Sequence, residues 1–414
     1  MFCFCLPLMA VEIRYGLELS DFILLENNLY ETEPETGFNH DSLGNEILIS
    51  PFLEISHQET IYAFLKSDLY WLHYFDDHDD EQQGELTSAF VCLKNKPALV
   101  CAGLQPFSVG RGLIHDENEV GISLELDAND SFQVNLSAAS LDYSSSLWSF
   151  DLEYTPGFFE TIDVFAAYYK AGDQAFSNKF YAYDQQTILW TTYLVDLPIN
   201  SGELMYVGGG VDAFVLGTYV RLTAIAQKGQ INFSSERGRL RKGVDVSAYI
   251  ADLDISLNMN DTWSGSFFMR VMSGGAPEND SNDIHGYITP LPLSLRTLVF
   301  SNEQFGPADE GEGIISQSMN LFGLVSPGLS LSCSPTKDLF IKSQVSFLYP
   351  YKQPGENRSF YGWEGDVSLS WTVKPWLDYN LEAGYFRHGD VFKNEQGEKP
   401  PPAVRMITGF TVSY

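Results

Sequence analysis

Along almost the whole chain, apolar and more polar residues alternate one by one. In the segment 11–19, Val11, Ile13, Tyr15, Leu17 and Leu19 fall on one side, and Glu12, Arg14, Gly16 and Glu18 on the other. The pattern recurs with Trp263, Gly265, Phe267, Met269 and Val271 set against Ser264, Ser266, Phe268, Arg270 and Met272. It recurs again with Trp363, Gly365, Val367, Leu369, Trp371 and Val373 set against Glu364, Asp366, Ser368, Ser370 and Thr372. Successive side chains of a strand point to opposite faces, so this period predicts strands with one apolar face each. No amphipathic helical pattern of useful length interrupts them.

The connections alternate too. Short turns are predicted at 57–59, 95–97, 128–130, 156–157, 198–202, 259–261, 335–337 and 374–375. Between them fall longer polar segments at 21–45, 76–84, 107–118, 172–185, 275–313, 350–361 and 389–401. Short turns on one rim and long loops on the other predict an all-β fold, a transmembrane antiparallel β-barrel of about eighteen strands with short periplasmic turns and long extracellular loops. The stretches 203–226, 237–257 and 314–334 exceed a spanning length, so they are read as loop stems or as hiding bends at Gly208–Gly210 and Pro327–Gly328. In the last segment, Val404, Met406, Thr408, Phe410, Val412 and Tyr414 oppose Ala403, Arg405, Ile407, Gly409, Thr411 and Ser413. A closing strand with aromatics at Phe410 and Tyr414 suits an interfacial girdle, and Phe410, Val412 and Tyr414 are taken as an assembly signal for the barrel-assembly machinery. Residues 11–414 read as a single outer-membrane barrel, which places the chain among outer-membrane lipid in a Gram-negative bacterium.

Composition narrows the picture. The chain has 414 residues, 44% of them hydrophobic and 14% aromatic, enough rings to furnish girdles. No window approaches the roughly 20 apolar residues that a spanning helix needs. The formal charge of −31 argues against a nucleic-acid partner, which would require clustered Lys and Arg, and is read as solvated acidic loops. Residues 1–10 (MFCFCLPLMA) resemble the tail of a secretory signal, with cleavage near Ala10; a frayed apolar terminus is the other reading. Removing Cys3 and Cys5 with it leaves Cys92, Cys101 and Cys333, without metal spacing. Cys92 and Cys101 fall on neighbouring strands, but alternation is read as pointing them to opposite faces, so no disulfide is expected between them.

Function must come from side chains lining the lumen. The strongest local signal is 237–243, where Arg237, Arg239 and Arg241 share one face. Continuing the alternation, Leu240, Val244, Val246, Ala248 and Ile250 are expected to face lipid, and Asp245, Ser247 and Tyr249 the lumen. Arg14, Arg221, Arg270, Arg405 and Lys342 also fall on predicted lumen faces. Guanidinium groups grip carboxylates in a fork and stay charged, so a row of them would favour an anionic solute. The alternative is mutual neutralisation by lumen acids, for which Glu12, Glu18, Asp245, Glu364, Asp366, Asp378 and Glu382 are candidates. The acidic run 76–81 could hold a divalent cation, but it lacks EF-hand spacing and reads better as a hydrated loop tip. No nucleophile elbow, phosphate loop, dinucleotide fingerprint or metal-ligand set occurs, so no cofactor, metal or catalytic residue is assigned.

Gly103–Asp116 (GLQPFSVGRGLIHD), leading into Gly121, Ile122, Ser123 and Leu124, resembles the strand-loop-strand segment of alginate-export-type outer-membrane porins, with Arg111 as its loop candidate. Phe268–Pro290, with Ser273, Gly274, Gly275, Pro277, Asp280 and Asp283, is similar to a late strand-to-loop passage of that family, although the acidic third residue is missing. The resemblance implies a monomeric eighteen-strand barrel exporting an anionic polysaccharide through an arginine-rich constriction, partnered by a periplasmic export complex. A general or nutrient-uptake porin for small solutes is the alternative on the same architecture. From another class, a soluble β-sandwich that binds or cleaves carbohydrate would need paired carboxylates about 5–9.5 Å apart, and none is distinguished.

Overall fold

The computed structural model describes residues 11–29, 40–57, 60–75, 81–129, 131–141, 144–156, 160–172, 179–181, 194–196, 199–234, 240–275, 283–289, 297–300, 323–353, 359–393, 397, 399 and 401–413. The apolar run 1–10, the acidic run at 76–80, Arg237, Arg239 and Tyr414 lie outside them.

All regular structure among the described residues is β. The first half holds β1 (Val11–Leu29), β2 (His40–His57), β3 (Ile61–Tyr74), β4 (Glu81–Asn95), β5 (Ala98–Val109), β6 (His115–Asn129), β7 (Phe132–Ser140), β8 (Ser146–Tyr154) and β9 (Thr161–Ala171). A small hairpin, β10 (Lys179–Tyr181) with β11 (Leu194–Asp196), follows. The second half holds β12 (Ile199–Val215), β13 (Thr218–Ser234), β14 (Leu240–Asn258), β15 (Trp263–Met272), the two-residue β16 (Asp283–Ile284), β17 (Leu324–Thr336), β18 (Leu339–Leu348), β19 (Gly362–Lys374), β20 (Leu377–His388) and β21 (Ala403–Ser413). Setting aside β10, β11 and β16, the strands form a closed antiparallel barrel of eighteen. The seam is β1 with β21, paired from Glu18↔Ser413 to Asn27↔Val404, so the backbone of the last strand finds its partner in the first. Closure removes the sheet edges that would otherwise carry unpaired N–H and C=O groups into hydrocarbon.

The outward faces carry the apolar set. Leu17, Leu19, Leu65, Leu136, Phe150, Leu329 and Val367 are all exposed. Aromatics collect at two levels. Near the short turns lie Phe132 stacked on Tyr154 at 4.5 Å, Tyr379 beside Phe410 at 5.0 Å, and Trp371. Near the loops lie Trp148 with Tyr168 at 5.6 Å and Trp363 with Tyr385 at 5.5 Å. Trp363 and Trp371 are about 26 Å apart along β19 at a strand's ordinary rise, the scale of a membrane's apolar band once tilt is allowed for.

The tight turns have local causes. Asn129 Oδ1 accepts from the N–H groups of Ser131 (2.9 Å) and Phe132 (3.1 Å), and Asn260 Oδ1 does the same for Thr262 (2.8 Å) and Trp263 (2.9 Å). Side-chain amides that mimic a turn explain why Asn begins both. Two expectations fail nearby. Ile199–Gly202 belong to β12, so the turn read at 198–202 is strand from Ile199 onward; a two-residue turn lies at Leu216–Gly217, between β12 and β13. Both of its central residues have positive φ (53° and 81°), the two-residue hairpin geometry that usually announces itself as Asn-Gly. Gly208–Gly210 make no bend and pair in register with Asp163, Val164 and Phe165.

Cys92 and Cys101 form a disulfide, contrary to the expectation of opposite faces. The tight turn pairs Asn95 with Ala98, which puts Cys92 directly across from Cys101. Residues directly opposite in an antiparallel pair share a face. Their Cα atoms are 4.0 Å apart and both side chains are buried inside the barrel.

Candidate functional site: a lumen crossed by two loops

Above the lower wall, two of the long connections fold inward. The first, 110–114, joins β5 to β6. Gly110, Arg111 and Gly112 all have positive φ (62°, 58°, 78°), so the chain doubles back into the barrel and buries Leu113 and Ile114. Arg111 then reaches away from its own loop to the barrel wall. Its guanidinium pairs with Asp163 of β9 and, at 2.7 Å, with Asp212 of β12. Gly210 leaves room for it, since a Cβ there would meet the guanidinium carbon at 2.4 Å. Asp212 is shared with Arg221 of β13 at 3.2 Å, whose guanidinium lies 5.7 Å over the Tyr219 ring. Burial opposes the charge on Arg111, but its hydrogen bonds and attraction to Asp163 and Asp212 outweigh that and hold its pKa above the ordinary value.

The second inward connection lies between β15 and β17. Its short strand β16 runs parallel to β14, with Asp245↔Asp283 and Val246↔Ile284. Next, Ile288 is clamped at both backbone groups by one side chain: Gln227 Nε2 donates to its C=O (2.7 Å) and its N–H donates to Gln227 Oε1 (3.0 Å). The Tyr206 hydroxyl also donates to Ile288 C=O at 3.0 Å. The Tyr287 hydroxyl donates to the C=O of Leu113 at 3.1 Å, tying the two loops together. Further along, the N–H groups of Val299 and Phe300 donate to the two carboxylate oxygens of Glu364 on β19, at 2.6 and 2.8 Å. Phe300 packs against Tyr361 and Phe386, while Leu298 meets Phe22 and Ile407. One connection therefore touches β12, β13 and β14 on one side and β1, β19, β20 and β21 on the other, so it crosses the barrel.

This crossing explains a reversal on β14. Val244, Val246, Ala248 and Ile250 were expected to face lipid. They face inward and are buried against the crossing loop, while Asp245, Ser247 and Tyr249 lie on the exposed outer face. At this level the inside is covered by protein and the outside is polar. Arg241 pairs through its backbone with Phe233.

The other sequence candidates fall where alternation put them, but in acidic company. Arg14 lies on the inner face of β1 beside Glu12 at 2.7 Å. Arg270 is buried against Asp252 at 3.1 Å. Arg405 is buried on the inner face of β21, and Lys342 lines the lumen on β18. By register, the inner face from β1 to β8 also carries Glu18, Glu54, Asp68, Glu85, Glu117, Glu125, Asp151 and Glu153, against Arg14, Lys66 and Lys94. Lys66 itself stands 3.9 Å from both Glu18 and Asp68. The positive inner surface expected from the arginines is thus an acidic one with embedded ion pairs. Lys66, Asp163 and Asp212 were legible by alternation but did not stand out, because single charges without a run carry no local signal.

No protein-family model matches the chain, and no curated protein matches it. Solved structures do. The chain is similar to Pseudomonas aeruginosa OccK2 (OpdF) crystallised with glucuronate, at a TM-score of 0.56 and 10% identity, covering 97% of this chain and 98% of that one. It is similar to Pseudomonas aeruginosa OpdK with vanillate, also at 0.56 and 10%, over 97% and 99%. A third, Pseudomonas aeruginosa OccK11 (OpdR), matches at 0.55 and 10%, over 97% and 95%. At this identity the likeness is one of fold.

Proposed function

We propose that this chain is an outer-membrane channel that admits small water-soluble solutes, a nutrient-uptake or diffusion porin. The observation that carries the reading is a polar lumen narrowed by two inward loops, one of which crosses it, in which Arg14, Arg111, Arg221 and Arg270 each sit against a carboxylate. A lumen narrowed in this way suits small solutes better than a polymer, and two fold neighbours were crystallised with single-ring solutes, glucuronate and vanillate. Export of a polyuronate fits less well. A polyanion would have to slide past inner-face carboxylates on β1 to β4, β6 and β8, and Arg14, Arg111, Arg221 and Arg270 already hold acids. Fixed charge near a pore sets which ions enter, so the acidic inner face should favour cations.

Planar-bilayer recording of the full chain across a potassium chloride gradient tests this. The expected result is steady conductance with a reversal potential of cation-selective sign and no block by uronate oligomers. An anion-selective pore blocked by those oligomers would restore the polysaccharide reading, and a chain that never conducts would end the channel reading altogether.

A further inference from the structure

Below the crossing loop, the inner face of β14, β15, β17 and β18 lines a cavity of about 490 Å³. That falls within the range of small-molecule sites, but its lining is unlike the usual apolar pocket. Two adjacent rows of cross-strand partners build it. One runs Ser256↔Ser266↔Ser330↔Gln344, the other Asn258↔Ser264↔Ser332↔Lys342. We propose that this cavity is a binding site for a neutral polyhydroxylated solute, a sugar or polyol of mono- or disaccharide size. The inference rests on the channel reading above and names a solute class for it.

The argument is one of hydrogen-bond chemistry. A carboxylate solute presents acceptors alone and is best met by guanidinium forks; an ammonium presents donors alone and wants carboxylates. A serine hydroxyl both donates and accepts, as does a side-chain amide, and a sugar hydroxyl has the same double character. Here Ser256 gives its proton to Asp254 (2.8 Å) and Gln344 one of its two to Asp366 (2.9 Å), which leaves Ser264, Ser266, Ser330, Ser332 and Asn258 as the groups of mixed character. Ser266 and Ser330 show it directly: their Oγ atoms are 2.6 Å apart and either can be the donor. The cavity's two formal charges cancel, since Asp254 stands at one margin and Lys342 at the other. A charged guest meets a like charge as well as an opposite one, whereas a neutral guest is indifferent to both; Asp366, which accepts from Gln344 Nε2, stands beside the lining. Phe340, 43% exposed, adds an apolar ring within the lining, a surface for the C–H face of a pyranose. The hydroxyl rows can then replace a sugar's hydration shell as it passes, so binding is weak and multi-point, which a conducting path requires.

The test is equilibrium binding to the detergent-purified full chain by calorimetry, with three probes of equal size: methyl glucoside, glucuronate and glucosamine. Methyl glucoside should bind saturably, with the two charged sugars at least about fivefold weaker. Ser266→Val with Ser330→Val removes the central hydroxyl pair and should weaken methyl glucoside about tenfold, one lost hydrogen-bond pair's worth. Ser137→Val with Ser149→Val alters the corresponding pair on β7 and β8, outside the cavity, and should leave binding unchanged. Heat-modified gel mobility reports that each barrel is folded, and Ser266→Ala with Ser330→Ala replaces the valine variant should that one fail to assemble. A charged sugar binding as tightly as the neutral one, no saturable methyl glucoside binding, or indifference to the Ser266 and Ser330 changes would each overturn the proposal. Binding is read without current. A chain that conducts as expected yet ignores methyl glucoside sinks this inference alone, and one that binds it but never conducts sinks the channel reading.

Discussion

The lower part of β1 and the upper part of β14 use the same alternation with opposite sense. On β1, Leu17 and Leu19 are exposed outward while Ser20 is buried inward. On β14, Val246 and Ile250 are buried inward, each 1% exposed, while Asp245 and Tyr249 face out. A strand needs an apolar neighbour on its apolar face, and nothing in the strand says whether that neighbour is lipid or protein. Along β1 it is lipid. Along upper β14 it is the connection that crosses the lumen. Between the two extremes, β9 and β12 are apolar on both sides: Phe165, Tyr169, Leu204 and Tyr206 are buried inward, and Val164, Met205 and Val207 are exposed outward.

The largest expected effect breaks the crossing itself. Glu364→Ala strips the acceptors from two buried backbone N–H groups, each of which costs ~1–3 kcal/mol when left unpaired. The loop should detach from β19 and single-channel conductance should rise; a variant with native conductance and native urea midpoint would mean the loop is held elsewhere. Next comes a direct contrast between the two regions. Leu17→Arg places a charge in the lipid-facing band and should cost roughly 2–4 kcal/mol, whereas Tyr249→Arg on the outer face of upper β14 should cost roughly 0–1 kcal/mol. Equal losses in reversible unfolding would show that both faces sit at the same depth. The smallest effect is electrostatic. Arg111→Met leaves Asp163 and Asp212 facing each other with only Arg221 at hand, so the cation-over-anion permeability ratio should increase modestly; a fall in that ratio would assign Arg111 a role other than neutralising these acids.

Much of the architecture was legible in advance. Alternation marks a strand whatever covers it, so the outward set on β15, β19 and β21 and the inward placement of Arg14, Arg221, Arg270, Lys342 and Arg405 follow from period alone, whereas the long loop read at 21–45 is shorter, since 21–29 and 40–45 continue β1 and β2. The total of about eighteen strands holds even though Ile199–Gly202 are strand and a turn lies at Leu216–Gly217. Leucine seldom takes positive φ, so that hairpin lacks the usual Asn-Gly signature. The error over Cys92 and Cys101 was one of register: a one-residue miscount in a turn flips every side chain beyond it.

By itself, then, the order of residues determined that the chain is a sheet, that the sheet has an apolar side, and which rim carries the long connections, because these depend on neighbours one and two positions apart. Only the tertiary structure decided that Gln227 grips Ile288, that Glu364 caps Val299 and Phe300, and that Arg111 pairs with Asp163 and Asp212. Those partners lie 52 to 101 residues apart. They meet because a closed barrel brings opposite walls within a loop's reach, a distance that no local pattern encodes.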